Sequence, residues 1–276
     1  MKKITTILIE IILGIVLILG IGYAAYQYNW FGIHGQVVKE IQSHKTTVDT
    51  TPIKKNSDRQ AIMRRLMRDT QPGLQKQGFV SVPQVGILEP IFDDAYSKKG
   101  LNAGANYANR TQNDPQGTQA PVMGQGNYGL ASHNFDDGLT GCSGLQQHYQ
   151  DDAPYLVAGK RHENKWLNNK PIYLANASGI YEYRIARQKV VTADNVSVLN
   201  TTNRAQVTII TCLFPSTQFR IITTGYLTKT YTWGKAPSRV VHYFDLTKQP
   251  TNAHADWFNP GIEEGSNGDA GGTKVK

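Results

Sequence analysis

From Gly78 onward the chain is written in short β-branched and aromatic runs cut by turn residues, and this texture limits the fold more than any other feature. The runs are "FVSVPQVGILEPIF", "YGLASHNF", "PIYLANASGIYEYRIARQKVVT", "QVTIITCLF", "FRIITTGYLTKTYTW" and "RVVHYFDL". Inside the third, "ANASG" reads as a hairpin turn. Regularly spaced strands with few long helical patterns predict a mostly β domain, either a closed, largely antiparallel barrel or a sandwich. The Asn/Gln/Gly/Pro stretch "NAGANYANRTQNDPQGTQAPVMGQGN" is expected to be a surface loop between strands.

The amino terminus has a different character. After Lys2 and Lys3, an apolar run extends from Ile4 to about Ala25. As a helix it spans roughly 33 Å, enough for a hydrocarbon core of about 30 Å. Glu10, the one charge inside, lies close enough to the entry end to reach the headgroups. Tyr23, Tyr26, Tyr28, Trp30 and Phe31 form an aromatic belt at the exit. A cleaved signal peptide is the alternative, with "YAAY" as the cut, but the run is longer than a signal core. Flanking charge puts the short amino end in the cytoplasm and everything from Asn29 onward outside.

Four segments follow: 1–28, stub and anchor; 29–78, basic linker; 79–246, the β domain; 247–276, a polar tail expected to be irregular. Of the net charge of +8, +5 sits in segment 29–78. That cluster, from Lys54 to Arg68, suits an anionic membrane surface or wall polymer, and equally a solvated helix face. Ala61, Ile62, Leu66 and Met67 predict a short helix there, capped by Ser57 or Asp58. No nucleic-acid recognition motif accompanies the charge, so no nucleic-acid partner is expected.

Two cysteines, Cys142 and Cys212, leave a disulfide open. Metal binding has less support, because no Cys or His pair has ligand spacing. The third reading is a nucleophile. Cys212 closes "VTIITC", Arg220 opens the next run in "FRIITTG", and His133 ends another in "GNYGLASHNF". A strand-end cysteine with a histidine and a fixed cation has the parts of an activated thiol. A papain-like protease is excluded by order, since here the histidine precedes the cysteine.

Together and in this order, "NYGLASHN", "VTIITC" and "FRIITTG" resemble the three motifs of the sortases, membrane-anchored cysteine transpeptidases of Gram-positive bacteria. The likeness covers about Phe79 to Leu246. The family's Ala-Gly-His reads Ala131-Ser132-His133 here, and its Thr-Leu-X-Thr-Cys reads Thr208-Ile209-Ile210-Thr211-Cys212. The resemblance implies an eight-stranded closed β-barrel with short helices behind a transmembrane helix, and catalytic His133, Cys212 and Arg220. One amino-terminal anchor, no apolar carboxyl-terminal segment and no lid-like segment resemble class A, the housekeeping type. "VVTADNVSVL" resembles the class A segment beside the sorting signal. Ala131, Val196, Val198 and Leu199 would line an apolar groove, and Thr211 would hold the signal or orient Arg220. Some class A enzymes use calcium, but the candidate carboxylates Glu89, Asp93, Asp94 and Asp194 are few, so no metal or other cofactor is expected.

The implied reaction cleaves a Leu-Pro-X-Thr-Gly-type signal between Thr and Gly through a thioacyl intermediate, with a protonated His133 serving the leaving amine. The implied partners are surface proteins bearing a carboxyl-terminal sorting signal and a lipid-linked peptidoglycan precursor. The implied location is the cell membrane, single-pass, with the catalytic domain extracellular. A non-catalytic, membrane-anchored surface-binding barrel is the alternative, and it would carry an inert Cys212.

Overall fold

The computed structural model describes residues 2–27, 36–40, 48–149, 151–216, 218–249 and 251–252. The chain divides into two compact units, residues 1–41 and 42–276.

The first unit holds helix α1, Lys2–Gln27, and a helical turn over 36–40. Its stretch Thr5–Ala25, of mean hydropathy 2.6, is long and apolar enough to cross a membrane. Tyr28, Trp30 and Phe31 lie outside the described residues, as does the tail beyond 252 with its Trp257–Phe258 pair.

The second unit begins with α2, Asn56–Leu66. Its N-cap is Lys55, without a side-chain bond, rather than Ser57 or Asp58. Asp58 sits instead in the first turn, where a carboxylate favours the helix dipole. Nor is the whole basic cluster solvated. Arg59 is buried, and its guanidinium donates to the carbonyls of Ile53, Trp233 and Ala236 and to Ser238 Oγ.

Strands β1 (Gly78–Val82) and β2 (Ile87–Phe92) follow, then helix α3 (Lys98–Ala103) and strands β3 (Ala105–Tyr107) and β4 (Asn127–Ala131). The minor hairpin β5–β6 (Leu156–Val157, Lys160–Arg161) precedes β7 (Pro171–Asn176), β8 (Gly179–Thr192), β9 (Gln206–Cys212) and β10 (Phe219–Tyr231). Eight of these strands close a barrel in the order β1-β2-β3-β4-β9-β10-β8-β7. Neighbours are antiparallel except at β2–β3 and β4–β9.

The "ANASG" turn forms as expected: Asn176 pairs with Gly179, and its Oδ1 accepts from the backbone N–H groups of Ser178 and Gly179. The stretch read as one surface loop contains β3, which the barrel needs to join β2 to β4. Asn106 anchors it, fully buried, donating to the carbonyls of Gly100 and Gly104. A polar residue thus fills a strand position that composition assigned to solvent.

"RVVHYFDL" is not a strand. Ser238–His242 forms helix α4, preceded by Pro237. Its β-branched pair, Val240 and Val241, packs with Ile62 and Leu66 of α2 and with Phe79, Trp233 and Phe244 in a core outside the barrel. Packing overrides propensity here. The barrel interior is a separate core, including Val80, Ile91, Leu130, Ile172, Leu174, Tyr183, Val207 and Ile209. β1 serves both, with Phe79 outward and Val80 and Val82 inward, so its burial is unbroken.

The start of the expected irregular tail is also held. Asn252 donates its N–H to the Leu88 carbonyl and accepts the Leu88 N–H at Oδ1. It also accepts the Gly141 N–H and donates from Nδ2 to the carbonyls of Leu139 and Gly141.

Candidate active site

Strand register brings the three candidate residues, His133, Cys212 and Arg220, to one end of the barrel. β9 runs parallel to β4, with Gly129 level with Thr208 and Ala131 level with Ile210. The ladder continues past β4, because the Ser132 N–H donates to the Ile210 carbonyl at 3.2 Å. β10 runs antiparallel to β9 and sets Thr224, Ile222 and Arg220 opposite Thr208, Ile210 and Cys212. Side chains alternate along a strand, and Val207 and Ile209 point into the barrel core. Thr208, Ile210 and Cys212 therefore share the outer face with their cross-strand partners. Directly opposed positions hold their Cβ atoms about 4.5–5.5 Å apart, which puts Cys212 and Arg220 side by side.

His133 lies two residues beyond Ala131, level with the end of β9. Three successive residues there are tethered to different elements. Ser132 Oγ donates to Glu89 Oε2 on β2 at 2.9 Å. The His133 carbonyl accepts the Cys142 N–H at 2.8 Å. Asn134 Nδ2 donates to the Cys212 carbonyl at 2.9 Å and to Gln146 Oε1 at 2.8 Å. Gly141 allows this approach: its φ is +61°, and a Cβ there would stand 2.6 Å from the His133 carbonyl oxygen.

The His133 ring pairs through Nε2 with Asn102 Oδ1 at 2.9 Å and lies against Phe135. Burial first, and then the Lys98 charge, hold its pKa below the usual histidine value. The resting imidazole is thus biased toward the neutral form, against the expectation of a protonated His133. Cys212 is a free thiol, half-buried. Arg220 Nη1 donates to the Phe219 carbonyl at 2.9 Å, which turns the guanidinium along the strand end.

The remaining expected residues divide. Ala131 is on the outer face, level with Ile210. Val198 borders a pocket of about 200 Å³ with Thr208, Ile222, Arg187 and Lys189. Leu199 is buried over Gly129, where any Cβ would meet its Cδ2 at 2.4 Å. Val196 is exposed. The Asn127 side chain pins this segment by donating to the carbonyls of Val198 and Asn200. Thr211 does not face the groove. Alternation turns it inward with Ile209, 1 % exposed, and its Oγ1 has no hydrogen-bond partner.

Cys142 and Cys212 are both free, so the disulfide reading falls. Cys142 is buried, its Sγ 3.5 Å from Glu89 Oε2. Three of the four carboxylates weighed for calcium have other partners. Glu89 is fully buried at Ser132, Asp93 accepts from the Gln75 N–H, and Asp94 accepts from Tyr96 and Ser97. Among the described residues no group of three or more His, Cys, Asp or Glu gathers.

Sequence reasoning missed Asn102, Asn134 and Gln146, and weighed Glu89 only as a calcium carboxylate. Gln146 joins the two sides of the site: its Oε1 accepts from Asn134 and from the Phe214 N–H, and its Nε2 donates to the Phe214 carbonyl. Side-chain amides in turn-rich stretches carry no periodic signal, so only the folded contacts identify them.

Comparison with known proteins adds an independent line. The Sortase domain family model matches residues 80–228. Sortase A of Streptococcus agalactiae is 29 % identical over 228 residues, covering 80 % of this chain and 81 % of that protein. Sortase A of Listeria monocytogenes is 27 % identical over 245 residues, covering 83 % and 93 %. The crystal structure of the Listeria monocytogenes sortase A superposes with a TM-score of 0.46 at 27 % identity, covering 61 % of this chain and 97 % of that one.

Proposed function

The chain belongs to the sortase family of cysteine transpeptidases, and on that premise we propose that it cleaves a Leu-Pro-X-Thr-Gly-type sorting signal and joins the severed protein to a cell-wall precursor amine. The observation that carries this reading is the shared rung: Cys212 opposite Arg220 across β9–β10, with His133 at the adjoining strand end.

The chemistry follows from those three groups. A free thiol, with a pKa of about 8.5, is only a few per cent thiolate near neutral pH. Arg220, on the same rung, places a fixed positive charge beside Cys212. The thiolate attacks the Thr carbonyl carbon, and the carbonyl electron pair moves to oxygen, where Arg220 stabilises the oxyanion. The C–N bond then breaks as the His133 imidazolium gives its proton to the departing glycine nitrogen, leaving a thioester on Cys212. In the second half the neutral imidazole takes a proton from the incoming amine. That amine attacks the thioester, and the Cys212 thiolate leaves. Burial and the Lys98 charge hold the His133 pKa down, so the imidazolium that gives this proton forms against that bias.

The outer face supports an extended peptide. Ala131, Ile210 and Ile222 form an apolar row one rung from Cys212, walled by Val198 and Leu199. The helix Lys2–Gln27 supports a single-pass anchor, and Lys2 and Lys3 before it support a cytoplasmic amino end with the catalytic unit outside, where both proposed substrates meet the membrane.

Replacing Cys212 by alanine should abolish transfer of a sorting-signal peptide to an amine while leaving the circular dichroism spectrum unchanged. Retained turnover would remove the nucleophile assignment. A thiol at 212 inert to methanethiosulfonate reagents would instead favour the non-catalytic binding module.

A further inference from the structure

The motif departure at Ser132 finds its counterpart on another strand. Ser132 is 6 % exposed, and its hydroxyl donates to Glu89 Oε2 at 2.9 Å. Glu89 is a carboxyl in the barrel wall with no exposed surface. Its Oε1 has no partner. Cys142 also reaches Oε2, and the Cys142 N–H is the donor to the His133 carbonyl. The three buried groups therefore meet at one carboxyl oxygen, and two of them bond to, or adjoin, the His133 backbone.

A buried, partly unsatisfied carboxyl costs stability and is retained without a compensating role only with difficulty. Ser132 satisfies Oε2, and receives in exchange a fixed point on β2. We infer that Ser132 and Glu89 form a buried pair that positions His133 against Cys212, taking up at this place the conformational slack of a residue that must turn out of the β4 ladder. The inference rests on the reading of His133 as the acid–base group. Both are positioning residues: they reach the reacting atoms only through the His133 backbone.

The groups around the pair are few. Cys142 is the titratable side chain in contact with Glu89, and burial pushes its thiol well above the ordinary range. On β1 the cross-strand neighbour of Glu89 is Val80, and on the other side stands Ser132. Burial raises the Glu89 carboxyl to about 8, against the lowering effect of its bonds to Ser132 and Cys142. The carboxyl is thus neutral through most of the pH range in which the histidine works, and it can change charge just above it.

The test compares full-length chains in detergent micelles: wild type, Ser132→Gly, Glu89→Gln, Glu89→Leu, and the Ser132→Gly/Glu89→Leu double variant. Peptide–amine transfer is measured together with the NMR titration of the His133 ring. Ser132→Gly and Glu89→Leu should each lower kcat roughly three- to tenfold, the equivalent of one neutral hydrogen bond, with KM within about twofold. The double variant should lose no more than either single one. Glu89→Gln keeps an oxygen acceptor for Ser132 and should retain most of the activity. The wild-type His133 resonance should show a second inflection near the Glu89 pKa, absent in Glu89→Gln. Additive losses in the double variant, or a His133 titration unaffected by Glu89→Gln, would overturn the pair. The titration is read without turnover. A wild-type chain without transferase activity would therefore count against the enzyme reading, while the second inflection would still decide the pair.

Discussion

Replacing Arg59 by methionine separates a structural role for the basic segment from a purely electrostatic one. Arg59 is 8 % exposed, and its Nη1 donates to the carbonyls of Trp233 at 3.1 Å and Ala236 at 2.5 Å, both buried. A hydrogen bond from a charged donor contributes about 1.5–3 kcal/mol, so losing these two costs about 3–6 kcal/mol. The weaker bonds to Ile53 and Ser238 are half-buried and add less. Methionine replaces the aliphatic stem, so the loss reports the guanidinium rather than a cavity. For a domain of 150–250 residues each kcal/mol lowers Tm by about 2–4 °C, which predicts a fall of at least about 6 °C. The assay is thermal unfolding of the full-length chain in detergent, followed by near-ultraviolet circular dichroism. Trp233 and Phe244, in edge contact beside the site of substitution, provide the signal. Arg59→Lys keeps the charge but cannot reproduce the fork, and should recover less than half of the loss. A change below about 2 °C for Arg59→Met, or full recovery in Arg59→Lys, would refute the structural argument and return Arg59 to the solvated cluster.

Two other outcomes are open to direct measurement. Thr211→Val replaces a buried, unbonded hydroxyl by a methyl of similar shape, and should leave transfer activity intact while raising stability by up to about 1–3 kcal/mol; a large loss of activity would restore Thr211 to the groove. Burial and Lys98 both depress the His133 pKa, so acidification through that pKa should cost folding stability, because the unfolded chain binds the proton more readily. Lys98→Gln should move the His133 NMR titration upward and make the stability loss on acidification smaller, and a fixed or lowered titration would contradict the attribution to Lys98.

The strands of the barrel and the three family motifs were largely legible because each carries its signal in a few consecutive residues. "VTIITC" and "FRIITTG" carry β-branched residues on both faces, and their register follows from the short turn between them. What escaped depends on distant partners. β3 is too short to show a period, and its central residue is an asparagine that only a folded environment of carbonyls explains. "RVVHYFDL" has strand composition yet is helical, because its apolar residues meet α2 and not a neighbouring strand. Thr211 lies beside Cys212 in sequence but on the opposite face, a consequence of alternation already implicit in Val207 and Ile209. Asn102 and Glu89 have no local signature, since each takes its meaning from a residue more than thirty positions away.

The five backbone and amide bonds of Asn252 carry a consequence for anyone shortening or tagging this chain. A residue past the last helix acts as a stitch between the strand bearing Glu89 and the bend that backs the histidine. A protein cut after residue 252 keeps the stitch, and one cut two residues earlier loses it. Two such shortened proteins could differ in turnover although neither lacks a reactive group.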